Sequence, residues 1–335
     1  MKGACERNLL LSIQSILEGE CLNQSPPEAA DFLLNPKPLD QGGYFDQDAN
    51  DLATDMRRET VLMLEELGIP VEQSHHEVAP SQQEIDLRHT DAMTMADTVM
   101  TYRVVVKEIA HRHDCYATFM PKPLNNMNGN GMHTHQSLFK GGHNAFYDAE
   151  DPDRLSDTAR YFIAGLLNHA REITAVTNQW VNSYKRLVPN FEAPTYVSWA
   201  VVNRSDLIRV PAYKQGREAS RRIEYRAPDP ACNPYLAFSV MLAAGLEGIE
   251  KEYPLPDPVE TNVFDMTDDE RRAGGIESLP GNLWEAVQLT ERSELVYKAL
   301  GDHVFKTFIE NKKIEWERYR SQITDYEIAR YLPIL

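Results

Sequence analysis

The stretch "SHHEVAPSQQEI" (residues 74–85) sets two glutamates, Glu77 and Glu84, seven positions apart. In a helix that spacing would stack both carboxylates on one face. Val78-Ala79-Pro80 opposes a helix, because proline lacks an amide hydrogen and its ring clashes with the preceding turn. In one unbroken strand an odd spacing sends the side chains to opposite faces. They converge only if the chain reverses at Pro80-Ser81, with Glu77 ending one strand and Glu84 starting the next. Convergent carboxylates repel each other unless a proton or a metal ion lies between them. The stretch therefore predicts an antiparallel hairpin, hence a sheet, and raises the question of a metal site.

Around that hairpin the chain alternates helices with strand pairs. "ERNLLLSIQSILEG" carries apolar residues at helical spacing and ends at Gly19, which predicts a helix. "PPEAADFLL" (26–34) predicts a short strand after a proline stop. A helix over 51–68 starts at Asp51 and closes at Gly68. A long helix over 91–113 leads into a strand, "CYATFMPKP". Another helix lies near 155–178, and an apolar helix over 233–251 belongs at the centre. This pattern predicts an α+β fold around an antiparallel sheet. "NGNG" precedes a strand and lacks the Lys-Ser/Thr pair, so it is not a phosphate loop.

The chain has 335 residues, 51 of them acidic, and a net charge of −17, which argues against a nucleic-acid surface. Arginines nevertheless gather in "NRSDLIRVPAYKQGREASRRIEYR" (203–226), a pattern suited to binding a small anion. Cys5, Cys21, Cys115 and Cys232 show no metal-ligand spacing and no secretory signal is visible, so reduced cytoplasmic thiols are expected. No apolar run reaches membrane-spanning length, and no membrane partner is expected.

Two further constellations bear on chemistry. In "GMHTHQSLF", strand alternation puts His133, His135 and Ser137 on one face, after glycines that permit close backbone approach. In "RRIEYRAPDP", Arg222, Glu224 and Arg226 share one face. Either strand alone reads better as a polar surface ladder. Together with the hairpin they fit a hard divalent ion beside arginines, the combination phosphoryl transfer requires. The residues thus indicate a metal-dependent, nucleotide-using enzyme with an anionic substrate.

"SHHEVAPSQQEID", "KPLNNMNGNGMHTHQSL", "VNSYKRLVPNFEAP", "NRSDLIRVP" and "RRIEYRAPDPACNPYLA" occur in that order and resemble the signature blocks of type I glutamine synthetases. The resemblance runs from about residue 28 onward. It implies a catalytic domain over 28–335, a curved antiparallel sheet framed by helices, after a divergent helix and linker over 1–27. It also implies ATP-dependent ligation of ammonia to L-glutamate through γ-glutamyl phosphate, with magnesium or manganese. By matching positions, Glu77 and Glu84 resemble ligands of one metal, and Glu28, His133 and Glu224 ligands of a second that meets the ATP phosphates. Asn128, Gly129 and Arg186 match glutamate-binding positions. Glu192 matches the loop glutamate that helps deprotonate ammonium. Arg204 and Arg226 match arginines around the transferred phosphate and the substrate carboxylate. Arg209 matches an arginine on the ATP phosphates, and Glu72, His135 and Ser137 match the nucleotide pocket.

Three departures qualify the resemblance. Nothing matches the family's N-terminal β-grasp domain, so a homo-oligomer smaller than the family's double-hexamer ring is expected. The family's first metal strand carries Glu-x-Glu, whereas Ala30 stands two residues after Glu28 and Asp31 points to the other face. Phe264 stands where some members carry a modifiable tyrosine. Two other readings stay open: a ligase joining glutamate to another amine, and a truncated relative that binds nucleotide or assembles with full-length subunits without full activity.

Overall fold

A computed structural model of the chain describes residues 9–23, 37–46, 51–201, 203 and 205–335. In chain order, strand β1 (Leu9–Asn23) is followed by helix α1 (Thr54–Glu66) and the hairpin β2 (Val71–His76) and β3 (Gln82–Leu87). Strand β4 (Thr90–Asp91) leads into α2 (Ala92–Arg112), then β5 (Cys115–Thr118), β6 (Met132–Lys140) and β7 (His143–Asn144). After α3 (Asp157–Thr177) and the short α4 (Ser183–Arg186) come β8 (Trp199–Ala200), β9 (Ile208–Arg209) and β10 (Ile223–Tyr225). Helix α5 (Pro234–Lys251) and five helices finish the chain: α6 (Asp268–Ala273), α7 (Leu283–Glu291), α8 (Glu294–Leu300), α9 (Asp302–Arg320) and α10 (Asp325–Tyr331).

The strands form one sheet in the order β2-β3-β1-β6-β10-β9-β8, with β4 and β5 also on β1 and β7 on β6. Every pairing is antiparallel except β8 with β9. The α+β fold is thus the one the sequence indicates. The hairpin turns where expected: Ser81 adopts a left-handed backbone with φ 65°, and the Glu77 N–H donates to the Gln82 carbonyl.

The helix expected over "ERNLLLSIQSILEG" is instead the centre of the sheet. Leu9 to Leu17 pair residue by residue with Lys140 to Met132, and Ile16 to Glu20 pair with Asp86 to Gln82. A strand covered on both faces carries a nearly continuous apolar run, and such a run fits helical spacing as well as strand spacing. Ladder partners more than a hundred residues away decide the outcome, and local periodicity does not contain them. The strand expected over 26–34 lies outside the described residues.

Asp51 does not cap α1 either. Its carboxylate is buried and ion-paired to Arg57, with Nη2 2.8 Å from Oδ2. The caps of α2 and α5 follow the usual chemistry: Asp91 accepts from the Met93 and Thr94 amides, and Asn233 from Tyr235 and Leu236. Helices α3 and α5 pack closely and supply much of the core, including Phe162, Ile163, Leu166, Val240 and Met241. Among the described residues, no helix is long and apolar enough to cross a membrane.

Candidate active site

The central strands present their polar residues to one cleft of about 550 Å³. The hairpin brings Glu77 and Glu84 to it, as its turn dictates, and His75 joins them: ligand atoms of all three lie within 4.8 Å of one another. His75 Nε2 is 2.8 Å from Glu84 Oε1. The third carboxylate is Glu18, on β1 directly across the ladder from Glu84. Its Oε2 accepts from the Gly131 N–H at 2.5 Å and from Gln82 Nε2 at 3.3 Å.

Sequence reasoning assigned that place to Glu28, which lies outside the described residues, as do Ala30, Asp31 and Arg204. The missed signal is "EGE" at 18–20, a Glu-x-Glu spacing at the end of the apolar run. The expectation of a helix there hid it.

Three acids crowded in one cleft are pushed toward their protonated forms. Burial, then the Glu77 charge, pushes Glu18 up to about 8. Burial, then Glu84, pushes Glu77 to about 7. Burial, then Glu18, pushes Glu84 to about 10. Mutual repulsion among these carboxylates would be relieved by a divalent cation bound between them.

Glu224 behaves oppositely. It is buried on β10, yet Arg226, the histidines His135 and His133, and Arg209 hold its carboxyl well below the usual range. Arg226 Nη1 donates to its Oε1 and Arg209 Nε to its Oε2, each at 2.6 Å. His133 Nδ1 lies 3.6 Å from Oε1, while Nε2 of the same ring is 4.0 Å from Glu18 Oε1. Burial, then Arg226, keeps His133 well below the ordinary imidazole value. A neutral ring between two carboxylates has the form of a metal ligand.

On the far side of Glu224, His135 Nε2 lies 3.8 Å away and opens on a second cavity of about 400 Å³. Glu72, His135 and Ser137 line it together, as the sequence predicts, with Gln14 and Arg222. Gln14 Nε2 donates to Glu72 Oε2 at 2.9 Å, and Arg222 Nε donates to His135 Nδ1 at 2.6 Å. Burial lowers His135 to about 3, so its ring is neutral. Arg209 lines the first cleft rather than this cavity and stands against Glu224.

The remaining predicted residues that the structure describes surround the same cleft. Asn128, Gly129, Arg186, Glu192 and Arg226 all line it. Asn128 Nδ2 donates to Glu192 Oε2 at 3.4 Å. Asn190 and Glu192 hold left-handed backbones, with φ 71° and 52°, in an exposed loop. Arg186 is buried, and its guanidinium donates to the carbonyls of Ala227 and Arg226. Gly129 is glycine because a Cβ there would come within 2.3 Å of the Pro121 carbonyl. Tyr44 and Phe264 also line the cleft, and sequence reasoning gave neither a binding role.

A family model described as "Glutamine synthetase, catalytic domain" matches residues 13–331. The chain is 55% identical over 316 residues to a glutamine synthetase of Mycolicibacterium smegmatis, covering 92% of this chain and 71% of that one. A Methanocaldococcus jannaschii glutamine synthetase is 51% identical over 315 residues, covering 91% and 69%. A solved structure described as "GmaS/ADP complex-Conformation 1" superposes with a TM-score of 0.86 at 32% identity, covering 99% of this chain and 75% of that one. One described as "Apo GmaS without ligand" gives 0.82 at 33%, covering 99% and 74%.

Proposed function

The chain belongs to the glutamine synthetase family, and from that premise we infer which of its residues carry the family's reaction. That reaction is the ATP-dependent ligation of ammonia to L-glutamate, with ATP and a divalent cation in use. The observation that supports the assignment best is the meeting of Glu18, Glu77 and Glu84 beside His133 and Glu224 in one cleft.

The donor set, oxygens with one neutral imidazole and no thiolate, suits magnesium or manganese. We assign Glu77 and Glu84 to one cation, and Glu18, His133 and Glu224 to a second, with Glu18 replacing Glu28. When bound, divalent cations neutralise phosphate and carboxylate charge. Glu72, His135 and Ser137 hold the nucleotide. Arg209 and Arg226, now on Glu224, turn their guanidiniums toward phosphate and substrate carboxylate. Arg204 is assigned the same work by family position. Asn128 and the Gly129 backbone orient glutamate, and Arg186 fixes the wall behind them through its carbonyl contacts. Glu192, exposed on its loop and touched by Asn128, takes the proton from ammonium.

The body of the chain from residue 28 onward is proposed as this catalytic domain, with β1 joined to its sheet. Assembly into a homo-oligomer and a cytoplasmic location complete the reading. ADP and glutamine release should be measured from the purified chain with magnesium or manganese and glutamate, with and without ammonium. Ammonium-dependent ADP matched by glutamine is expected. ADP without glutamine would refute the role of Glu192, and no ADP at all would refute the metal assignment.

A further inference from the structure

We propose that Asp40 and His76 are positioning residues that set the hairpin turn and thereby aim Glu77 at the cation. The inference rests on the reading of Glu77 and Glu84 as metal ligands. Neither Asp40 nor His76 lines the cleft, and both side chains are fully buried. His76 is the residue before Glu77, and its ring points away from the cleft side chains. Its Nε2 donates to Asp40 Oδ1 at 3.0 Å and its Nδ1 donates to the Glu77 carbonyl at 2.6 Å. Asp40 Oδ1 also accepts from the Ser81 amide at 2.7 Å and the Gly42 amide at 3.2 Å. The Asp40 amide in turn donates to Ser81 Oγ at 2.9 Å.

One carboxylate oxygen therefore ties together both ends of the turn. It holds Ser81, whose left-handed backbone reverses the chain, and through His76 it holds the peptide of Glu77. The Phe45 amide adds a bond to the His76 carbonyl at 3.0 Å, and the Phe45 ring stacks on His75 at 4.2 Å. Gly42 lies so close over the imidazole that a Cβ would fall 2.5 Å from Nε2. The segment 40–46 is thus a brace across the back of the hairpin. Buried polar atoms this well matched fix a single geometry. Partners of metal ligands commonly contribute 10–100-fold to metal affinity.

All three bonds to Asp40 end on Oδ1, while Oδ2 has no partner. An asparagine can therefore keep the acceptor at Oδ1, though not the negative charge opposite a ring that donates from both nitrogens, and an alanine can keep neither. Mn²⁺ binding should be titrated by electron paramagnetic resonance on the full-length wild type and on Asp40→Asn, Asp40→Ala, His76→Gln and Glu77→Ala. We expect Asp40→Ala and His76→Gln to weaken Mn²⁺ about 10-fold or more, with the ATP KM at saturating metal unchanged. Asp40→Asn should lose less Mn²⁺ affinity than Asp40→Ala, because the acceptor is retained while the charge opposite His76 is not. Should Asp40→Ala not fold, His76→Gln against Asp40→Asn decides. Wild-type Mn²⁺ affinity in Asp40→Ala or His76→Gln, with Glu77→Ala impaired, would overturn the positioning role. Wild-type affinity in Glu77→Ala would overturn the metal assignment itself.

Discussion

At the level of single residues, the site was legible wherever a motif fixed side-chain parity. Glu77 and Glu84 converge because proline forbids a helix and a turn is the remaining solution. His133 and Glu224 reach each other across adjacent strands, as alternation requires. Glu18 carried a Glu-x-Glu signal with Glu20, but its place in the site depends on Glu84 lying opposite it in a ladder that joins distant segments. The two candidates can be separated directly. Glu18→Ala should weaken Mn²⁺ binding at least 10-fold, roughly the scale of losing a group at a metal site, while Glu28→Ala leaves it unchanged. The reverse result would return the assignment to Glu28. Glu192 makes a different prediction, since it is exposed and touches only Asn128 among the hydrogen bonds described. Glu192→Ala should lower kcat for glutamine formation by about 10²-fold, the usual contribution of a general base, and leave ATP affinity intact. A loss in ATP affinity of similar size would make Glu192 a binding residue instead.

At the level of elements, the helices were easier to read than the strands. Helices α2 and α5 announce their starts through Asp91 and Asn233, side chains that satisfy free amides locally. Strand β1 makes no such local statement. Its partners β3, β4, β5 and β6 lie far along the chain, and only they distinguish it from a helix. The packing of α3 on α5 was also invisible in periodicity, because it depends on two glycines facing each other. A Cβ on Gly248 would lie 2.1 Å from the Tyr161 carbonyl and 2.6 Å from the Gly165 Cα. On propensity alone, Gly248→Ala should stabilise a helix by about 1 kcal/mol. The clash is with backbone, which cannot rotate away, so overpacking should win by roughly 1–3 kcal/mol net. Urea unfolding of Gly248→Ala tests this, and a variant as stable as wild type would mean that the helices separate without cost.

At the level of the whole molecule, the chain carries a net charge of −17 and still buries acids outside the cleft. Asp206 is the clearest case outside the cleft. It is fully buried, with Ser198 Oγ beside it. Burial, opposed by a Ser198 hydrogen bond and helped by the Glu260 charge, raises its carboxyl from 3.8 to about 7. The folded chain then holds this proton at pH values where the unfolded chain has released it. The contribution to stability is fully present below pH 3.8 and is lost as pH rises to about 7. Asp206→Asn removes the titrating group while keeping its shape. The variant should match wild type near pH 4 and exceed it by roughly 2–4 kcal/mol at pH 8, the scale set by a shift of this size. Divalent cations should not substitute for the mutation, because Asp206 does not line the cleft. Unfolding curves at pH 4, 6 and 8, with and without Mg²⁺, separate the two sources of pH dependence. Equal stability of variant and wild type at pH 8 would mean that the Asp206 charge is compensated in the folded chain.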